Sequence, residues 1–144
     1  MTAAQRLYTP ELLALAVELA EYPPLDSAPA HGEARSPTCG STLATDLALD
    51  DRGRIARLGM RVRACAVGQA AAAIFARRAP GRDLAGIRDA LARLTAWLDD
   101  EGPAPDWPDL ALIAPARAYR ARHGAMLLPW KAAAAALSSA APAG

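Results

Sequence analysis

The feature that most constrains this chain is a run of strict alternation set among helical patterns. Over residues 41–49, Leu43, Thr45, Leu47 and Leu49 share one face, and Thr42, Ala44, Asp46 and Ala48 share the other. Period two marks a strand with one buried side. Asp50-Asp51-Arg52-Gly53 follows as a turn. Residues 54–63 read as the returning strand, with Leu58, Met60 and Val62 on one face and Arg57, Arg61 and Arg63 on the other. The pair predicts a β-hairpin with a short loop.

Helical signals surround it. Thr9-Pro10-Glu11 reads as a helix start, because threonine caps free N–H groups and proline suits the first helical position. Leu12, Leu13, Ala16, Leu19 and Ala20 form its apolar stripe, and Pro23-Pro24 ends it. Residues 23–38 read as loop with at most a short strand. Val67 to Arg78, alanine-rich with Ile74 and Phe75, predicts a buried helix stopped by Pro80-Gly81. Asp83 caps a further helix whose Leu84, Ile87, Leu91, Leu94 and Leu98 keep helical spacing. Gly102 to Pro108 is a proline-rich loop. The last helix is expected over about 126–138, with Pro129 in its first turn. A helix, then strands, then helices predicts an α+β fold, with helices packed on one side of a small antiparallel sheet.

At 144 residues the chain is expected to form one domain over 1–137, with a flexible tail over 138–144. A hydrophobic share of 53% with a net charge of +1 argues against wholesale disorder and gives no basic tail for nucleic acid. No apolar stretch of about 20 residues would cross a membrane, and no secretory leader pattern is visible at the N-terminus. The expectation is a cytoplasmic protein whose Cys39 and Cys65 stay reduced.

Those two cysteines are the candidates for chemistry. Cys39 lies in Ser36-Pro37-Thr38-Cys39-Gly40-Ser41, just before a strand. Cys65 lies in Arg63-Ala64-Cys65-Ala66-Val67-Gly68-Gln69-Ala70, between a strand and a helix. A thiol at a helix N-terminus near arginine loses its proton readily. Two cysteines do not by themselves make a metal site, and both also read as small buried hydrophobes.

Pro-Thr-Cys-Gly, a hairpin, then Cys-Ala-x-x-Gln-Ala before a helix resembles the U-type iron–sulfur scaffold family, which comprises IscU, SufU and the N-terminal domain of NifU. Leu49-Asp50-Asp51 with Gly53-Arg54-Ile55, and the closing helix around Trp130-Lys131-Ala132, fit the same pattern, so the resemblance covers roughly residues 7–137. It implies an α+β fold with a small antiparallel sheet of about three strands and helices over one face, and three cysteines and an aspartate around one exposed site that holds zinc or a nascent cluster. Cys39 and Cys65 match the first two cysteines. Ser41 stands at the aspartate position and Ala125 at the third cysteine, so half of the implied ligand set is absent. His123, two residues before Ala125, is the candidate replacement, and His31 is a weaker one. Among the arginines, Arg61, Arg63, Arg117, Arg120 and Arg122 read mostly as a solvated face. Arg63 and Arg122 are the candidates for lying beside the thiolates or docking an acidic partner.

Trp97 reads as core, Trp107 as a loop anchor and Trp130 as half-buried. Asp99-Asp100-Glu101 reads as a solvated loop start. No phosphate-cradling glycine loop and no hydrolase nucleophile elbow occurs. The resemblance implies a scaffold-like protein, monomeric or weakly dimeric, more a scaffold than an enzyme. It would hold iron and sulfur through Cys39 and Cys65, take sulfur as a persulfide from a cysteine desulfurase and pass a transient iron–sulfur cluster to acceptor proteins. The alternatives are a zinc-dependent sulfurtransferase or sulfur acceptor of the SufU kind, or a degenerate scaffold that binds no metal and serves as a partner protein.

Overall fold

The computed structural model describes residues 7–37 and 39–140. Helix α1 (Pro10–Glu18) starts where Thr9 Oγ1 accepts a hydrogen bond from the Leu12 N–H at 3.2 Å, and a 3-10 turn (Leu19–Glu21) ends it. Its buried side is Leu12 and Leu15. Leu13, expected on the stripe, is exposed together with Val17.

Strands β1 (Ala30–Arg35), β2 (Thr42–Leu49) and β3 (Ile55–Arg63) form an antiparallel sheet in the order β1-β2-β3. The alternation is expressed as expected, with Leu43, Thr45 and Leu47 buried. In the β2–β3 turn, Asp50 Oδ1 accepts from the backbone N–H groups of Arg52 and Arg54, both at 2.9 Å. That local pairing fixes the hairpin register, which pairs Thr42 with Arg63 and Leu43 with Val62.

Helix α2 (Ala66–Arg78) is buried over nearly its whole length, and the run Ala70 to Ala73 lets its neighbours approach closely. Helix α3 (Leu84–Leu98) starts on Asp83, whose Oδ1 accepts from the Gly86 N–H at 2.8 Å. A 3-10 segment (Leu110–Ala118) then leads into α4 (Arg120–Ala140). Helix α4 packs across the inner face of the sheet. The backbone of Ala132 and Ala136 fills the space where a side chain on Gly32 would stand. Phe75, Trp107 and Trp130 form the aromatic centre: Phe75 and Trp107 stack at 5.5 Å, and Trp130 meets both edge-on. Trp107 also donates from its indole N–H to the Ile74 carbonyl at 3.1 Å, which seats the proline-rich loop.

Two expectations are corrected at the C-terminal end. The last helix begins at Arg120, so Pro129 lies in its interior rather than its first turn. Packing explains this: every residue from Ala125 to Trp130 is buried, which outweighs the proline. Trp130 is accordingly buried, with only 1% of its surface exposed. Residues 138–140 of the expected tail are helical, and 141–144 lie outside the described residues. Among the described residues, no helix is long and apolar enough to cross a membrane.

Candidate functional site

The sheet register gathers three chain segments at one end. Arg35, Thr42 and Arg63 pair in one row. The next residues outward are Ser36, Ser41 and Ala64, so the Cys39 turn and the Cys65 junction leave the sheet side by side.

The Cys39 turn is tightly tied. Ser36 N–H donates to the Ser41 carbonyl at 2.8 Å, and Gly40 N–H donates to the Ser36 carbonyl at 2.9 Å. Gly40 adopts φ +69°, a left-handed conformation natural to glycine. The turn presents Cys39 to solvent while burying Ser36 and Ser41 beneath it. In the thiol form Cys39 donates to Ser36 Oγ at 3.3 Å, and Ser41 Oγ lies 3.0 Å from the sulfur. Hydroxyl hydrogens rotate, so both serines donate once the sulfur is ionised. These bonds, Ser36 first and Ser41 second, hold the Cys39 thiol below its ordinary pKa, against a smaller opposing effect of burial.

Cys65 is the N-cap residue of α2. Its carbonyl accepts from the Gln69 N–H at 2.9 Å, and the Gln69 side chain donates to the Ala64 carbonyl at 2.8 Å. Glutamine in this motif thus clamps the backbone that carries the thiol.

The first turns of α4 close the site. The Arg122 guanidinium has its pKa raised, first by hydrogen bonding with the Cys65 thiol and then by the charges of Cys65, Tyr8 and Cys39, which sets it beside the thiols. Gly124 sits directly on Ser36, where a Cβ would collide with the serine Oγ. Ala125 packs over Gly68 at the start of α2. Arg122, Gly124 and Ala125 therefore point one face of α4 at both thiol segments. Arg122, singled out in the sequence as a candidate neighbour of the thiolates, holds that position.

His123 is not part of this face. One residue along a helix turns by about 100°, and His123 Nε2 lies 2.7 Å from the Arg117 carbonyl in the 3-10 segment. The expected convergence of Cys39, Cys65 and His123 is not formed, because α4 begins early enough to fix His123 on the opposite side. His31 lies on the exposed face of β1, held by Asp46 at 2.7 Å and Glu33 at 3.4 Å. Among the described residues, no group of three or more His, Cys, Asp or Glu side chains is arranged to hold a metal ion. Two thiols, a buried serine and an alanine methyl do not supply the four ligands of a resident zinc site, and a guanidinium already lies against one thiol. The pair of buried serines was not assigned a role from sequence. The signal was present in their placement three residues before and two after the cysteine.

No protein-family profile matches the sequence, and no curated protein is similar to it. Solved structures are. The N-terminal part of a nitrogen-fixing NifU-like protein from Brucella abortus superposes with a TM-score of 0.86 at 29% identity, covering 96% of this chain and 97% of that one. This likeness supports the resemblance to the U-type scaffold family. A second U-type structure is a protein assigned as an iron–sulfur cluster assembly scaffold for the SUF system of Fervidobacterium islandicum AW-1. It superposes with a TM-score of 0.79 at 16% identity, over 93% of this chain and 98% of that one. At that identity the likeness is one of fold, and it agrees with the three-stranded sheet and overlying helices described above.

Proposed function

We propose that this protein serves iron–sulfur cluster assembly as a scaffold-like carrier, with Cys39 and Cys65 receiving sulfur and iron as cargo. The likeness to the NifU-like structure, at 29% identity over nearly the whole chain, supports the general role. The observation that carries the assignment to these residues is the pairing of an exposed Cys39, whose ionised form two buried hydroxyls stabilise, with a Cys65 that shares Arg122 with it.

The chemistry follows from the thiolate. Cys39 attacks the outer sulfur of a persulfide borne by a cysteine desulfurase. A new S–S bond forms on Cys39, the donor's S–S bond breaks, and the donor cysteine leaves as a thiolate. One persulfide is exchanged for another, with no net oxidation. Iron, the second cargo, is held by the two thiolates together with ligands from a partner protein or a second copy, because this chain lacks the family's aspartate and third cysteine. Acceptor proteins then take the product.

A second reading is favoured by one observation. A guanidinium that interacts with the Cys65 sulfur opposes a second cation at the same thiol. On that reading the chain accepts and passes sulfur without building a cluster, and zinc is not needed to free the thiol.

The test is anaerobic reconstitution with iron, a desulfurase and cysteine, on the natural protein and on Cys39→Ala and Cys65→Ala. Stoichiometric iron and sulfide, lost in both variants, establishes the scaffold. A persulfide on Cys39 without retained iron establishes the sulfur acceptor. Neither product overturns both readings.

A further inference from the structure

We infer that the outer face of the sheet is a docking groove for an extended acidic segment of a partner protein, entered from the thiol end. The groove, about 390 Å³, runs along β2 and is lined by Arg35 on one side, Arg61 and Arg63 on the other, with Thr42 and Ala44 between. Arg35 and Arg63 face each other across Thr42, and Arg61 lies across Ala44 from Glu33. Small side chains on the central strand and long ones on both flanks make the trough. All three arginines are without an ion-pair partner among the described residues, whereas Arg54, Arg93 and Arg117 each have one and Arg77 has two. Glu33 is the one acid at the rim, and it is held toward His31.

One end of the trough is closed. Asp46 Oδ2 accepts from the Leu25 N–H at 3.2 Å, and the Pro23 backbone occupies the space a side chain on Gly59 would need. The segment before β1 therefore crosses the sheet at the Asp46–Gly59 row. The opposite end opens at Ser36, Ser41 and Ala64, beside both thiols.

This geometry suits carboxylates on an extended chain. Alternate residues of a strand lie about 6.8 Å apart, which is also the separation of Arg61 and Arg63 along β3, so acidic residues at i and i+2 meet both. Guanidinium pairs carboxylate by two parallel hydrogen bonds, and the small floor leaves room for one backbone. A nucleic acid is less well matched. The chain's net charge is only +1, and the trough is stopped after two residue rows, too short to track a phosphate backbone. That the docked partner gives or takes sulfur rests on the function proposed above. The docking itself does not.

The experiment uses the full chain and a fluorescein-labelled decapeptide with glutamate at alternate positions, read by anisotropy at low salt. Binding should weaken at least about tenfold in Arg61→Glu/Arg63→Glu and stay unchanged in Arg88→Glu, an exposed charge on α3. The same result is expected with Cys39→Ser/Cys65→Ser, so loss of the thiol chemistry would leave this result standing. Amide shifts in the natural protein should map to residues 33–35, 42–44 and 61–63, which covers the case of a double variant that fails to fold. An equal loss in Arg88→Glu, shifts centred elsewhere, no binding, or tighter binding of single-stranded DNA of equal charge would each overturn the proposal.

Discussion

The Ser41 hydroxyl lies 3.0 Å from the Cys39 sulfur, at the position where the U-type pattern carries an aspartate. A carboxylate there would repel a thiolate unless a cation lay between them. A hydroxyl stabilises the thiolate directly. Removing Ser36 and Ser41 hydroxyls together (Ser36→Ala/Ser41→Ala) should therefore raise the Cys39 pKa and reduce its thiolate fraction at neutral pH. Iodoacetamide labelling at pH 7 should slow by about threefold or more, a difference that should shrink toward alkaline pH. Equal rates at every pH would remove the serines from the account of reactivity.

Restoring the family's ligands should restore metal retention. Ala125 is fully buried against Gly68, and a cysteine there adds one sulfur atom pointed at the thiol segments. Ser41→Asp/Ala125→Cys is expected to hold about one zinc per chain after gel filtration, where the natural protein holds much less. Metal content measured by mass spectrometry decides the matter. A double variant as empty as its parent would mean that Arg122 excludes the ion.

Gly124 offers a stability test of the contact between α4 and the Cys39 turn. A methyl group at 124 gains helix propensity, yet it meets Ser36 Oγ. Gly124→Ala is expected to cost about 1–3 kcal/mol in denaturant unfolding. In a Ser36→Ala background the cost should be smaller, because the colliding oxygen is gone. Additive losses would place the strain elsewhere.

Arg77 ties three elements on the other side of the molecule. Its guanidinium makes two 2.6 Å bonds to Glu18 of α1 and one of 3.1 Å to Asp109 before the 3-10 segment. Arg77→Met should destabilise the protein by about 1 kcal/mol at neutral pH, discounted for partial exposure. The Arg77 hydrogen bonds hold Glu18 below the usual carboxylate pKa. A depressed pKa contributes stability above the unfolded value and loses it as pH falls through the folded one. The gap between natural protein and variant should thus be constant above pH 5 and close below about pH 4. A gap that persists in acid would point to packing of the arginine stem instead.

The sheet and the early helices were legible because their signals are local. Thr9 and Asp83 cap the helices they were expected to cap, and the alternation of Leu43, Thr45 and Leu47 needs only a period of two. The start of α4 was not legible. Arg120 to Gly124 looks like a loop, and only burial of residues 125–130 draws it into the helix. The error carried directly into the site: a loop histidine would be free to turn toward the thiols, whereas His123 is fixed by helical phase on the far side. The Ser41 and Ala125 departures were legible as absences. Their structural meaning was not, because it depends on what Ser36, Arg122 and Gly124 contribute from elsewhere in the chain.

Pro129 has a mechanical consequence. With no N–H to offer, it leaves the Ala125 carbonyl without its helical donor, at the depth where α4 passes from the thiol site to the underside of the sheet. Across that gap the helix is held by packing, since every residue from Ala125 to Trp130 is buried. Residues 130–140 are wedged between sheet and core, while the segment bearing Arg122 and Gly124 is coupled to them by fewer backbone bonds than an unbroken helix would have. The joint therefore depends on side-chain packing, where an unbroken helix would rely on its own backbone ladder.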